Sequence, residues 1–143
     1  MGIRVSNFDF SPFKQAMLSK GYAQEHVDAC FADLLILLHD AEDTGRAHAV
    51  TEGADAAFHF IVSDTVGLLR LSAAILGVGQ VIAHDPSVYG TPEFDLAWEN
   101  TRAAFARHGI DLPADCRSDR GSFRSAASCI RKSMQIADIQ QAA

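Results

Sequence analysis

The segment Ala23–Asp43, AQEHVDACFADLLILLHDAED, places Val27, Cys30, Phe31, Leu34, Leu35 and Leu38 at helical spacing. A stripe this wide needs apolar neighbours on more than one side, so the helix it predicts belongs at the centre of a packed core. Further helix signals surround it. SPFKQAMLSKG offers Ser11 as N-cap, Pro12 at the first helical position and Gly21 past the end. TPEFDLAWENTRAAFARHG repeats that punctuation with Thr91, Pro92 and Gly109. A long helix is expected from Thr51 or Glu52 to about Leu76, where Gly77 and Gly79 make continuation costly. Phe123, Ala126, Ala127, Ile130 and Met134 recur at helical spacing and predict a last, basic helix over about 121–140.

Between these elements lie a polar connection, Glu42–Val50, and the stretch VIAHDP, which is extended because the residue before a proline is pushed out of the helical region. No segment shows a convincing strand alternation. The expected fold is therefore all-α: one compact bundle of about five helices with an extended loop around 80–91, residues 1–143 forming a single helical domain. A chain of 143 residues suffices for one real core and is short for two.

Composition narrows the setting. At 48% hydrophobic and 21% charged residues the chain reads as a soluble globular protein. It lacks the roughly 20 uninterrupted apolar residues of a membrane span, and its first residues lack the pattern of a secretion signal. Cys30, Cys116 and Cys129 form no CxxC pair, which argues against a disulfide framework or a thiolate zinc site and for a reducing, cytoplasmic location.

Charge is unevenly spread: residues 1–100 hold 14 acidic against 5 basic residues, and residues 101–143 hold 4 acidic against 7 basic. Arg117, Arg120, Arg124, Arg131 and Lys132 make up most of the second group. Such a basic patch is either a solvated helix face or a footprint for nucleic acid; the acidic remainder and the lack of interleaved aromatics weigh against the latter.

On a helical wheel His59 falls on a polar stripe with Asp55, Ser63, Val66 and Arg70, despite its place in the apolar run DAAFHFIVSDT. Asp55 and His59, four residues apart, can hydrogen-bond, as in carboxylate–histidine pairs at metal and general-base sites and in ordinary surface contacts. Asp64 lands on the apolar side near Leu71 and Ile75, where a carboxylate must find donors. It is a buried-polar candidate with its neighbour Thr65, serving either a cap or ion pair or a binding site. HExxH, P-loop and GxSxG signatures are absent.

Taken together, DAAFHFIVSDT…GQVIAHDP resembles a motif of the glycine-rich domain-containing-protein-like family, a plant and bacterial group. Asp55, His59 and Thr65 fit its first part, and Gly79, Ile82, His84 and Pro86 its second. The likeness spans about residues 25–113 and leaves out the basic C-terminal segment. Phe58 stands where the family has Trp, Leu68 where it has Tyr, Leu71-Ser72 for Phe-Cys, and Ala83 for the first of two histidines. The resemblance implies a helical domain with no agreed activity, and it implies that Asp55, His59 and His84 act together.

Two roles are open for that trio. The histidines tie loop to bundle, each neutral imidazole offering one donor and one acceptor. Alternatively His59 and His84, with Asp55 or Asp85, surround a divalent metal or an anionic ligand. With no nucleophile–base–oxyanion set and no cofactor fingerprint, the expected function is a non-enzymatic domain binding a partner protein. The alternatives are a divalent-metal-binding protein or metal-dependent enzyme, and then nucleic-acid binding; self-association is left open.

Overall fold

The computed structural model of the chain describes residues 4–77, 79–117 and 125–132. Among the described residues are five α-helices and a three-stranded antiparallel sheet, so the fold is mixed α and β rather than all-α. A short turn of 3-10 helix at Val5–Asn7 leads into α1 (Ser11–Ser19) and α2 (Gln24–Thr44). There follow β1 (His48–Thr51), α3 (Glu52–Val62), α4 (Thr65–Leu76), β2 (Ile82–Asp85), α5 (Pro92–Ala106) and β3 (Ser125–Lys132).

The expected central helix is α2. It buries Val27, Cys30, Phe31, Leu34, Leu37 and Leu38 and packs against α1, α3 and α5. Each fully buried Leu or Phe there contributes about 1.5–3 kcal/mol. The helix ends at Gly45, whose φ of 70° is left-handed backbone and whose N–H bonds the Ala41 carbonyl. It thus occupies the first part of the stretch expected as a loop, and β1 takes up its last residues from His48.

The sheet is the main correction. All four residues of β1 are buried, which erases the alternation that would announce a strand. The segment expected as the basic helix is instead β3 over Ser125–Lys132, lying between β1 and β2. His48 pairs with Ile130 and Ala49 with Cys129 on one side; His84 pairs with Ile130 and Ile82 with Lys132 on the other. Ladder bonds along both edges override the helical preference of its alanines. Residues 121–124 and 133–140 of the expected helix lie outside the described residues. α5 covers the outer edge of β1: Thr101 Oγ1 donates to the Ala49 carbonyl at 2.6 Å and Asn100 Nδ2 to the Ala47 carbonyl at 3.0 Å.

The long helix is two helices. Ser63 Oγ bonds back to the His59 carbonyl, and the Asp64 carboxylate accepts the Gly67 N–H at 3.1 Å, capping a new helix. The axis turns by 116° there. The bend sets Gly67 against the Phe13 ring of α1. It also places Ser72, which donates to the Leu68 carbonyl at 2.7 Å and accepts the Ile82 N–H at 2.9 Å, so that α4 holds the start of β2. Within the 80–91 stretch, Ile82–Asp85 is extended and residues 87–90 turn; the pairing of Ile82–Asp85 as a strand is what the sequence did not announce. No single helix among the described residues is long and apolar enough to cross a membrane.

Candidate metal centre

α3 keeps Asp55 and His59 one turn apart on its outward side, and β2 delivers His84 to the same point. His84 Nε2 lies 2.7 Å from Asp55 Oδ1, and His59 Nε2 lies 3.6 Å from Asp55 Oδ2. One carboxylate thus faces two imidazoles. The two rings meet edge to face with centroids 5.0 Å apart, and Phe58 packs against His84 at 5.9 Å. One ligand-type atom from each of the three residues lies within 4.8 Å of the others.

The side chains differ in freedom. Asp55 and His84 are 17% and 22% exposed, whereas His59 is 57% exposed. Ligand atoms at about 2.1 Å from a tetrahedral ion stand about 3.4 Å apart. To hold an ion, Asp55 and His84 would have to open slightly from 2.7 Å, and the exposed His59 would adjust its position. Two imidazoles and a carboxylate are a donor set suited to zinc and other first-row divalent ions.

Asp85 is not part of this group. It accepts the Ser87 N–H at 2.9 Å and the Ser87 hydroxyl at 2.5 Å, and lies 3.7 Å from Arg131 Nη1. The Ser87 hydrogen bonds first, and Arg131 with His84 after them, hold its carboxyl below the usual range. Asp64 and Thr65 are likewise elsewhere and exposed, Asp64 as the cap of α4 and Thr65 as its first residue. Once the helix breaks at Asp64, Val66 and Arg70 also leave the face that carries His59.

Among the described basic residues, Arg131 and Lys132 lie on a strand rather than a helix. Arg131 lies on β3 and pairs with Glu93 of α5 as well as approaching Asp85. Arg117 is exposed, 3.6 Å from Asp115. Lys132 closes β3, and Arg120 and Arg124 lie outside the described residues.

A second histidine–carboxylate pair lies in the interior. His48 is fully buried, with Nε2 2.6 Å from Asp40 Oδ2, and the other Asp40 oxygen pairs with Arg107. Arg107 already compensates the carboxylate, and arginine is always charged. Burial accordingly pushes the imidazole down to about 4, the Arg46 backbone opposing this only in part. His48 is then neutral at pH 7 and donates Nε2–H to Asp40, while Nδ1 makes no well-formed hydrogen bond. This pair is sealed and structural. Burial also pushes the Cys129 thiol up to about 12 and the Cys30 thiol upward, so neither is poised as a thiolate ligand.

Tyr22 and Glu52 went unnoticed in the sequence. With Asp55, His59, Phe60 and Ala126 they line an open cavity of about 450 Å³ in front of the trio. Glu52 and Asp55 are three residues apart on α3, a spacing that marks them as neighbours on one face. No protein-family model matches the chain, and neither the curated proteins nor the solved structures contain a match to it.

Proposed function

We propose that this chain is a divalent-metal-binding domain in which Asp55, His59 and His84 hold the ion. The observation that supports this most directly is the convergence, within 4.8 Å, of three ligand-type atoms from α3 and β2. Three protein ligands among the described residues would leave coordination positions for others, the pattern of a reactive or ligand-accepting site rather than of a closed structural one. The three free thiols, Cys30, Cys116 and Cys129, favour a reducing, cytoplasmic setting. On the quoted residues alone, membership of the glycine-rich domain-containing-protein-like family is part of the same proposal.

The test is a zinc titration of chelator-treated, untagged protein by calorimetry, repeated with His59→Ala. One ion per chain, bound at least tenfold more weakly by the variant, supports the reading. No binding, or equal binding by the variant, sinks it.

Binding to a partner protein is the second reading, favoured by a different surface. A groove of about 580 Å³ between α1 and α4 is lined by Phe8, Pro12, Phe13 and Val66. Val66 is 56% exposed and its neighbour Leu69 49% exposed. Val66→Glu is expected to abolish co-purification of a specific partner with the native chain while leaving zinc binding unchanged. Unchanged co-purification removes this reading.

A further inference from the structure

We infer that the metal ion's open coordination positions accept a small organic ligand with an oxygen-donor head and a flat apolar body, the body lying against Tyr22 and Phe60. This inference rests on the metal-binding reading above.

Three observations lead to it. The ligand side chains approach from one side: Asp55 and His59 from α3, and His84 from β2 with Phe58 packed against it. First-row ions take four to six ligands, so positions remain on the other side. Asp55 and His59 themselves line the open cavity of about 450 Å³, so the ion would border it. That volume lies within the range of small-molecule sites, roughly 300–1,000 Å³.

One part of the cavity wall is formed by Tyr22 and Phe60, another by Glu52 and Asp55. Tyr22, just before α2, is 45% exposed, yet its ring is held by two neighbours: stacked on His26 at 5.5 Å and edge-on to Phe60 at 6.4 Å. Phe60 is half-buried on α3, one residue past His59. An exposed ring fixed by ring contacts rather than by burial presents a ready face to a flat apolar group. The ion would bind the oxygen head and the aromatic wall would select the body. A ligand lacking either part loses one of the two contacts.

Hydroxamates separate the two contributions, because head and body vary independently. The chain is loaded with cobalt(II), whose visible spectrum reports its coordination, and titrated with benzohydroxamate and acetohydroxamate. The expected result is a spectral change with both and several-fold tighter binding of benzohydroxamate, up to about tenfold. Tyr22→Ala is expected to erase that preference and Tyr22→Phe to restore it, with cobalt affinity unchanged in both. If cobalt binds but neither hydroxamate alters its spectrum, the positions are closed and this inference falls while the metal reading stands. If both hydroxamates bind equally whatever stands at position 22, the aromatic wall plays no part and the inference falls. Should cobalt itself not bind, the metal reading falls and takes this inference with it.

Discussion

His48 and His84 stand opposite the same residue, Ile130, on the two edges of the middle strand β3. Directly opposed residues share a face of the sheet, so the two histidines belong to one face, their backbones about 10 Å apart across two strand spacings. Each meets an aspartate from a helix: Asp40 for His48 and Asp55 for His84. Yet His48 is fully buried with its carboxylate shared by Arg107, whereas His84 shares Asp55 with an exposed second histidine. The same pair is a fastening in one place and a candidate metal site in the other, and its surroundings decide which.

The two histidines of the candidate site are expected to behave differently when metal is absent. His59→Ala removes an exposed ring whose contact with Asp55 is worth a few tenths of a kcal/mol, so apo stability should change by less than about 0.5 kcal/mol. His84→Ala breaks the bond to Asp55 at 2.7 Å and unpacks Phe58, and should cost about 1–3 kcal/mol. Zinc at a hundred times its dissociation constant should add about 2.7 kcal/mol to the native chain and far less to either variant. Urea melts with and without zinc read all of these.

Stability should depend on pH through two opposed groups. His48 is pushed down to about 4 from an ordinary 6.5, so between those values the unfolded chain binds more protons and stability falls as pH falls. Asp33 is pushed by burial up to about 6 from 3.8, so the folded chain binds more protons there and stability rises as pH falls. The windows overlap between pH 4 and 6, and the native chain should show a shallow profile across it. Asp33→Asn removes the compensating slope. Its denaturant midpoint should drop steadily from pH 6.5 to 4, and a flat profile in the variant would show that His48 does not titrate as argued.

Gly67→Ala should destabilise the chain. A Cβ there would stand 2.8 Å from Phe13 Cε1 and closer still to Cζ, forcing α4 away from α1. The expected loss is about 1–3 kcal/mol by overpacking, against a gain of up to about 1 kcal/mol from helix propensity. A melting temperature unchanged or raised would mean that the Phe13 ring moves freely into the neighbouring groove.

Ser72→Ala leaves the Ile82 N–H buried without its acceptor, which should cost about 1–3 kcal/mol. Because Ile82 begins the strand that carries His84, zinc affinity should fall in the same variant. Lost stability with unchanged zinc affinity would show that β3 alone suffices to place β2.

The helices were legible because their signals are local. Thr91 caps α5 through the Phe94 N–H, and the apolar stripe of α2 is the central buried face its spacing predicts. Asp64 was legible as an anomaly, a carboxylate on an apolar face, but drawing one wheel through it kept the helix whole and the residue inside. Its neighbour Ser63 and the small Gly67 carried the signal of a restart. The sheet was not legible: β1 is buried throughout, and Ala126, Ala127 and Ile130 share a spacing that suits a helix. Strand pairing between positions 48 and 130 depends on distant partners, about which periodicity is silent. Of the candidate site, Asp55 and His59 followed from helical geometry and His84 was joined to them only by the resemblance; the meeting itself depends on β2, which pairs with β3.

That pinning strand has a consequence for how the chain comes to be folded. β3 is the last described element and lies in the middle of the sheet, so among the described residues β1 and β2 have no strand partner until residues 125–132 have been synthesised. Helices α1 to α5 can collapse on their short-range contacts well before then, leaving two strand edges open to stray pairing. Closing the sheet joins positions 48 and 130, a slow step of high sequence separation. The nascent chain is therefore more exposed to aggregation before β3 arrives, and His84 gains its backing only with that arrival.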